Sequence, residues 1–394
     1  MKKLLIIGHN INSAGITAQT VNLIKELNGR YDRQYTIILP DHEGFSMLKK
    51  VQCKGVRILY VKYPQQKILR LLTRLYYEIF YLPILTLKIN PQAVLALANY
   101  LPTPTIFRKK IVLIRHPYLL KKDLSGDAPV KKKLNENFTR FLLKLTLYTT
   151  DLVIVQSEYM RMNFSKNFKS SAKVVVLPNP LSNVFNNKTN NTEQNQAKER
   201  DMGKSINYFY PSRFYPHKNH IFILKLVKKF HKELINLNIN IIITLGSDSI
   251  TYAFNHEKQI FNNMLREIQK APYNKVIKNI GEVSQHKLAQ YYQKSNALFF
   301  PSSEETFGNG LIEGMFFELP IVVPDLDYAK AICGNAGLYY QEDNIDTAFN
   351  LLKKLATDVC YQSEKSKLSK RRFENFIHTD EWVNTLNTYI EDLD

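Results

Sequence analysis

Two acids eight residues apart, Glu305 and Glu313, bracket the turn Phe307-Gly308-Asn309-Gly310, which runs into Leu311 and an apolar pattern at helical spacing. Carboxylates in such a place accept hydrogen bonds from hydroxyl groups. On one continuous helix the two would stand about 80° apart around the axis. The glycines argue against that helix, so Glu305 belongs to a loop and Glu313 to the first helical turn, both able to face one cleft. Gly308 and Gly310 lack a Cβ and let the backbone approach a ligand closely. The helix start near Gly310 offers unpaired N–H groups and the positive end of its dipole, which suits an anion. A phosphorylated sugar or a nucleotide meets both requirements. Read alone, the pair is equally two solvated acids on a surface loop.

Further cationic chemistry lies upstream, in Pro211-Ser212-Arg213-Phe214-Tyr215-Pro216-His217-Lys218-Asn219. Arg213 can fork onto phosphate oxygens and Lys218 adds a mobile point charge; a basic surface loop is the plainer alternative. His116 closes the apolar run of VLIRHPYLL at a carboxyl end, where open α/β sheets bind ligands. Alone it reads as a structural histidine, and Arg115 beside it as structural too. Gly15, with Ser13 and Thr17, opens a helical pattern reaching Leu27, and either presents amides to an anion or makes a tight turn.

The elements that must hold these residues are short apolar runs. Ala297–Phe300 and Ile321–Val323 flank the glycine turn as strands of a β–loop–α–β unit. Lys3–Gly8, Tyr35–Leu39, Val56–Val61, Ala93–Leu97, Ile111–Ile114, Asp151–Gln156 and Val174–Leu177 read as strands of the first half. Ile206–Tyr210, Ile239–Leu245 and Val276–Gly281 belong to the second. Strands alternating with helical patterns mark doubly wound α/β domains. Between Gln65 and Leu87 the chain is apolar nearly all round, with Lys67, Arg70 and Arg74 at one end, and the expectation is a helix packed in a core. A membrane-interface helix is the alternative.

At 394 residues the chain suits two domains, and its 44% hydrophobic content suits real cores. The expected division is a first domain over 1–183, an Asn-rich linker over 184–205, a second domain over 206–375 and a C-terminal segment over 376–394. Three scattered cysteines show no disulfide or metal spacing. The apolar run after Lys3 is too short for a signal-peptide core, and no apolar run has membrane-spanning length. The net charge of +19 is lopsided: residues 1–185 hold 29 Lys and Arg against 10 Asp and Glu, and the remainder is balanced at 25 each. A basic first half points to an anionic partner surface. No nucleic-acid-binding motif accompanies it.

Glu305-x7-Glu313 within PSSEETFGNGLIEGM resembles the signature of family 4 retaining glycosyltransferases of the bacterial polysaccharide and lipopolysaccharide type. The stretch Arg213 to Asn219 is similar to that family's diphosphate-gripping motif, and Pro178-Asn179-Pro180 to its turn before the interdomain linker. The resemblance implies the GT-B fold: two Rossmann-like domains facing across a cleft, with a C-terminal helix crossing back to the first. It implies that Arg213, Lys218, Glu305 and His116 are catalytic. Glu313 would hold the ribose, Phe307, Gly308, Asn309, Gly310 and Leu311 would approach sugar and diphosphate, and Gly15 and Gly281 would complete the site. The implied enzyme is a metal-independent hexosyltransferase without cofactor, using a nucleotide-diphosphate sugar, UDP-linked by preference. Asp325-x-Asp327 has the form of a GT-A metal motif without a GT-A context, so no metal is expected. The acceptor would be a glycan or lipid-linked glycan, and the location cytoplasmic, peripheral on the anionic inner face of the plasma membrane. The alternatives are a non-catalytic GT-B-like binding protein and a nucleotide-sugar epimerase of the same fold.

Overall fold

The computed structural model describes residues 2–11, 14–30, 33–50, 54–101, 109–120, 130–181, 185, 205–246, 255–377 and 379–393. The chain divides into two compact units, Met1–Ser182 together with Ile377–Asp394, and Asn183–Phe376.

The first unit is built on β1 (Lys2–Ile7), β2 (Arg33–Pro40), β3 (Val56–Val61), β4 (Ala93–Ala96), β5 (Lys110–Ile114), β6 (Leu152–Val155) and β7 (Lys173–Val176). Their order is β3-β2-β1-β4-β5-β6-β7, every pairing parallel, with Ile6 level with Ile37 on one side and Leu95 on the other. Runs such as LLII, IVLI and LVIV lack a polar alternation because helices cover both faces of a parallel sheet. Leu4 and Ile6 point to one core, with Leu23 and Ile24 of helix α1 (Ala14–Leu27). Leu5 and Ile7 point to the other, with Leu82, Leu143 and Phe164. The period of two along a strand makes this division. The C-terminal helix Thr379–Glu391 brings Trp382, Val383, Leu386 and Ile390 into the first of these cores. Arg33 Nη2 donates to its Glu391 Oε1 at 2.8 Å.

The segment after Gln65 departs from the expectation of a core helix. It forms α2 (Lys67–Tyr76), a π-helical turn Tyr77–Tyr81 and α3 (Leu82–Ile89), and α2 buries no residue. Ile68 is 76% exposed, and Leu71, Leu72, Phe80, Ile84 and Leu87 are each more than half exposed. After α2, Glu78, Leu82 and Thr86 are buried, and Tyr77, Tyr81, Leu85 and Ile89 pack half-buried against the core. Nearly continuous hydrophobicity says that a helix avoids water but not what it packs against. Phe138 and Phe141 on α4 (Val130–Leu147) are exposed as well.

In the second unit β8 (Ile206–Tyr210), β9 (Ile239–Ile243), β10 (Ile277–Asn279), β11 (Ala297–Phe299), β12 (Ile321–Pro324) and β13 (Gly337–Tyr340) form a second parallel sheet, ordered β10-β9-β8-β11-β12-β13. The order reverses between β8 and β11. Loops leaving the carboxyl ends of that pair flank a topological switch point, where doubly wound sheets bind ligands. Of the expected linker 184–205, all but Phe185 and Ser205 lies outside the described residues. Phe185 is fully buried in the second unit, edge-on to Tyr292 and Phe317.

Candidate active site

The loop after β8 carries Arg213 and Lys218. Its backbone is held by Ser212 N–H donating to Thr244 Oγ1 at 3.0 Å and by Tyr210 O–H donating to the Lys218 carbonyl at 2.7 Å. Asn219 then takes a left-handed conformation, φ 52°, which asparagine tolerates, and starts the helix His220–Asn236. The loop after β11 docks on this one, with Ser303 N–H donating to the His217 carbonyl at 2.7 Å. The two sides of the strand-order reversal are thereby stitched together.

Across that seam Lys218 Nζ donates to Glu305 Oε1. The same oxygen accepts from Ser302 Oγ at 2.7 Å. Glu305 is buried and Lys218 half-buried, its ammonium 5.6 Å from the centre of the Phe300 ring. Arg213 Nη2 donates to Glu282 Oε1 from the loop after β10. Burial first and Lys218 second push His220 down to about 3, so this neighbour is neutral at physiological pH.

Gly308 caps α6 (Asn309–Phe316) at φ +66°, a left-handed conformation that favours glycine. A Cβ there would stand 2.9 Å from Leu311 Cδ1, and one on Gly310 would stand 3.1 Å from Phe300 Cε2. The tight turn sets the start of an eight-residue helix beside Glu305, whose Cγ would stand 3.6 Å from a Cβ on Gly308. Phe307 is buried edge-on to Phe376, which pins the loop from behind. Glu313, one turn in, accepts from Tyr292 O–H at 2.7 Å. Burial pushes the Glu313 carboxyl up and the Tyr292 hydrogen bond pulls it back, leaving it at about 7. Gly281, at φ +71°, follows β10 beside Glu282.

The second unit therefore gathers Arg213, Lys218, Glu305, Phe307 to Leu311 and Glu313 along the carboxyl edge of its sheet. Gly15 and His116 belong to the first unit. Gly15 is the second residue of α1, and His116 is half-buried in the turn after β5. In that unit His9, just past β1, has its Nε2 3.1 Å from Glu78 Oε1, which also accepts from Arg74 Nε (2.9 Å) and Tyr100 O–H (2.7 Å). Burial raises the Glu78 carboxyl, but His9, Arg74 and Tyr100 outweigh it and hold it at about 2. Sequence reasoning missed Ser302, Glu282 and Tyr292 as partners of the site, and the His9–Glu78 cluster. Ser302 and Glu282 follow strand ends and were open to notice. Tyr292, 21 residues before Glu313 on the helix Gln285–Lys294 (α5), carries no local signal.

Residues 191–371 match the family model of glycosyl transferases group 1. Among curated proteins the chain is similar to the O-antigen chain mannosyltransferase RfbU of Salmonella typhimurium, 26% identical over 236 residues, 59% of this chain and 59% of that one. Among solved structures it superposes on a sucrose-phosphate synthase from Thermosynechococcus elongatus with a TM-score of 0.71 at 13% identity, covering 100% of this chain and 99% of the other. Anabaena Alr3699/HepE, solved in complex with UDP and glucose, gives a TM-score of 0.69 at 11% identity, covering 99% and 100%. At such identities the likeness speaks for the fold. Two parallel Rossmann-like sheets, a C-terminal helix returned to the first and a second unit that matches the glycosyl transferases group 1 model over residues 191–371 lead to one assignment: this chain has the GT-B fold.

Proposed function

We propose that this chain moves a sugar, with retention at the anomeric carbon, from a nucleoside-diphosphate sugar to an acceptor hydroxyl. The observation that carries the proposal is the Lys218–Glu305 pair, held across the switch point beside the start of α6. Breaking the bond between sugar and diphosphate leaves negative charge on the departing phosphate oxygen. Lys218, Arg213 and the amides of Gly308 to Leu311 supply positive charge and N–H donors for it, in a partly dried site where such groups act strongly. One well-placed donor of this kind is worth ~3–4 kcal/mol of barrier, and the residues present can supply this without a bound metal. Glu305 would take hydroxyls of the donor sugar and Glu313 those of the ribose. His116, Gly15 and Gly281 complete the proposed site on the family resemblance.

A UDP-linked donor is favoured, and mannose, the sugar in the name of the Salmonella relative, is the first to try. The proposed acceptor is a lipid-linked glycan, reached from an anionic membrane surface. The exposed apolar face of α2 and α3, with Lys67, Arg70 and Arg74 at its start, supports that location. Incubation with a panel of UDP- and GDP-sugars and glycan acceptors tests the reading. Arg213→Ala or Lys218→Ala is expected to lower turnover about a hundredfold or more with the circular dichroism spectrum unchanged, and the product to keep the donor's anomeric configuration by NMR. Unchanged turnover in both variants removes the two cations from the site, and donor conversion without acceptor makes the protein an epimerase instead.

A further inference from the structure

The first unit holds a second cationic feature that the donor chemistry does not use. At the carboxyl end of its sheet, Gln19, Leu23, Arg115, Asn179, Pro180 and Trp382 line a shallow recess that opens to solvent. Arg115 reaches it from the end of β5, its backbone fixed by N–H donation to Asn99 Oδ1 at 2.8 Å. Arg115 Nε and Nη1 are buried and meet no acceptor. Trp382, 4% exposed, has its indole Nε1–H buried without an acceptor as well. Burial lowers the Arg115 guanidinium, to about 10, and among the described residues no carboxylate opposes the shift. It therefore stays charged at neutral pH.

A buried guanidinium without a counter-ion is costly, since desolvation is compensated only when a partner accepts its N–H groups. Here Arg115, just past β5, and Trp382, on the C-terminal helix, line one recess, each keeps covered N–H donors that meet no acceptor, and the lining supplies no anion. We infer that this recess is a binding site for an oxyanion, a phosphate or carboxylate group, taken up by Arg115 and the Trp382 indole N–H. The group could belong to a lipid headgroup, to a phosphorylated or acidic glycan, or to a free small molecule. All share the chemistry of a compact, multiply accepting anion.

Trp382 is the sole tryptophan, so its emission reports directly on the recess. Full-length protein is titrated at constant ionic strength with inorganic phosphate, glycerol 1-phosphate, glucuronate and phosphatidylglycerol vesicles, with chloride as control. A saturable change in emission with at least one oxyanion, weakened tenfold or more in Arg115→Gln and less in Arg115→Lys, is expected. Which titrant saturates first separates the sources. In parallel, the saturating oxyanion is expected to raise the melting temperature of the wild type and not of Arg115→Gln. The glutamine variant, relieved of a buried charge, is itself expected to melt no lower than the wild type. Responses indistinguishable from chloride, or equal in the wild type and Arg115→Gln, overturn the inference. Neither readout needs a nucleotide sugar or turnover, so the result stands apart from the donor-site proposal.

Discussion

Glu313 joins two opposite pH dependences in one side chain. Its carboxyl is held near 7 by burial, against the Tyr292 hydrogen bond. A carboxyl raised on folding adds stability that is full below its unfolded value and is lost as pH rises through about 7. The ligand-free protein is therefore expected to lose melting temperature between pH 5 and 8 relative to Glu313→Gln, by a few degrees on the usual scale. Ribose hydroxyls, by contrast, donate best to the ionised carboxylate. Nucleotide affinity is expected to tighten roughly tenfold from pH 6 to 8, as a site half-ionised near 7 requires, and to stay flat in Glu313→Gln. Calorimetric titration across that range checks it, and a flat wild-type profile removes the ribose role. Arg213, Lys218, Glu305 and Glu313 were legible in the sequence because each sits within a few residues of a strand end or a glycine turn. Their partners were not. Tyr292 meets Glu313 only through the packing of α5 against α6, and the orphaned donors of Arg115 and Trp382 lie 267 positions apart.

At the scale of elements, parallel strands were legible for a simple reason: burial on both faces leaves uninterrupted aliphatic runs. β13 was not read, because GLYY alternates and begins on a glycine. Helix α2 shows the limit of periodicity. Its Leu and Ile positions demand an apolar neighbour, and in this chain the neighbour is not the protein core. With Lys67 and Arg70 at its start, α2 has the composition of a helix lying in a bilayer interface. Leu72→Glu with Phe80→Glu is expected to weaken sedimentation with vesicles containing phosphatidylglycerol by tenfold or more. It should leave the circular dichroism spectrum unchanged, because both side chains are exposed. Binding should also fall as salt rises through the screening range. Equal sedimentation of variant and wild type would detach α2 from any membrane role. Among the described residues no helix is long and apolar enough to cross a membrane.

Over the whole molecule, the lopsided charge now has a structural address: most of the basic excess, +14 of +19, falls on the unit that also exposes α2 and holds the Arg115 recess. That unit depends on a helix just over two hundred residues beyond its own last strand. Leu386, 2% exposed against the α1 side of the first sheet, is a core residue of a unit it does not adjoin in sequence. Leu386→Ala is expected to cost about 2–4 kcal/mol, as for other buried leucines, read from urea unfolding of the first unit by Trp382 emission. A change below half a kilocalorie would mean that the helix rests on the unit without supporting it. The C-terminal segment was set apart in the sequence as residues 376–394; its helix and its return to the first unit were read only from family resemblance.

That returning helix also sets an order of events in the cell. The ribosome makes β1 to β7 before β8 to β13, yet part of the layer that covers one side of the first sheet, Trp382 to Ile390, follows all six strands of the second. Until then the wall that α1 partly covers lacks four of its apolar partners, and a chain stopped before Thr379 would leave that part open to water.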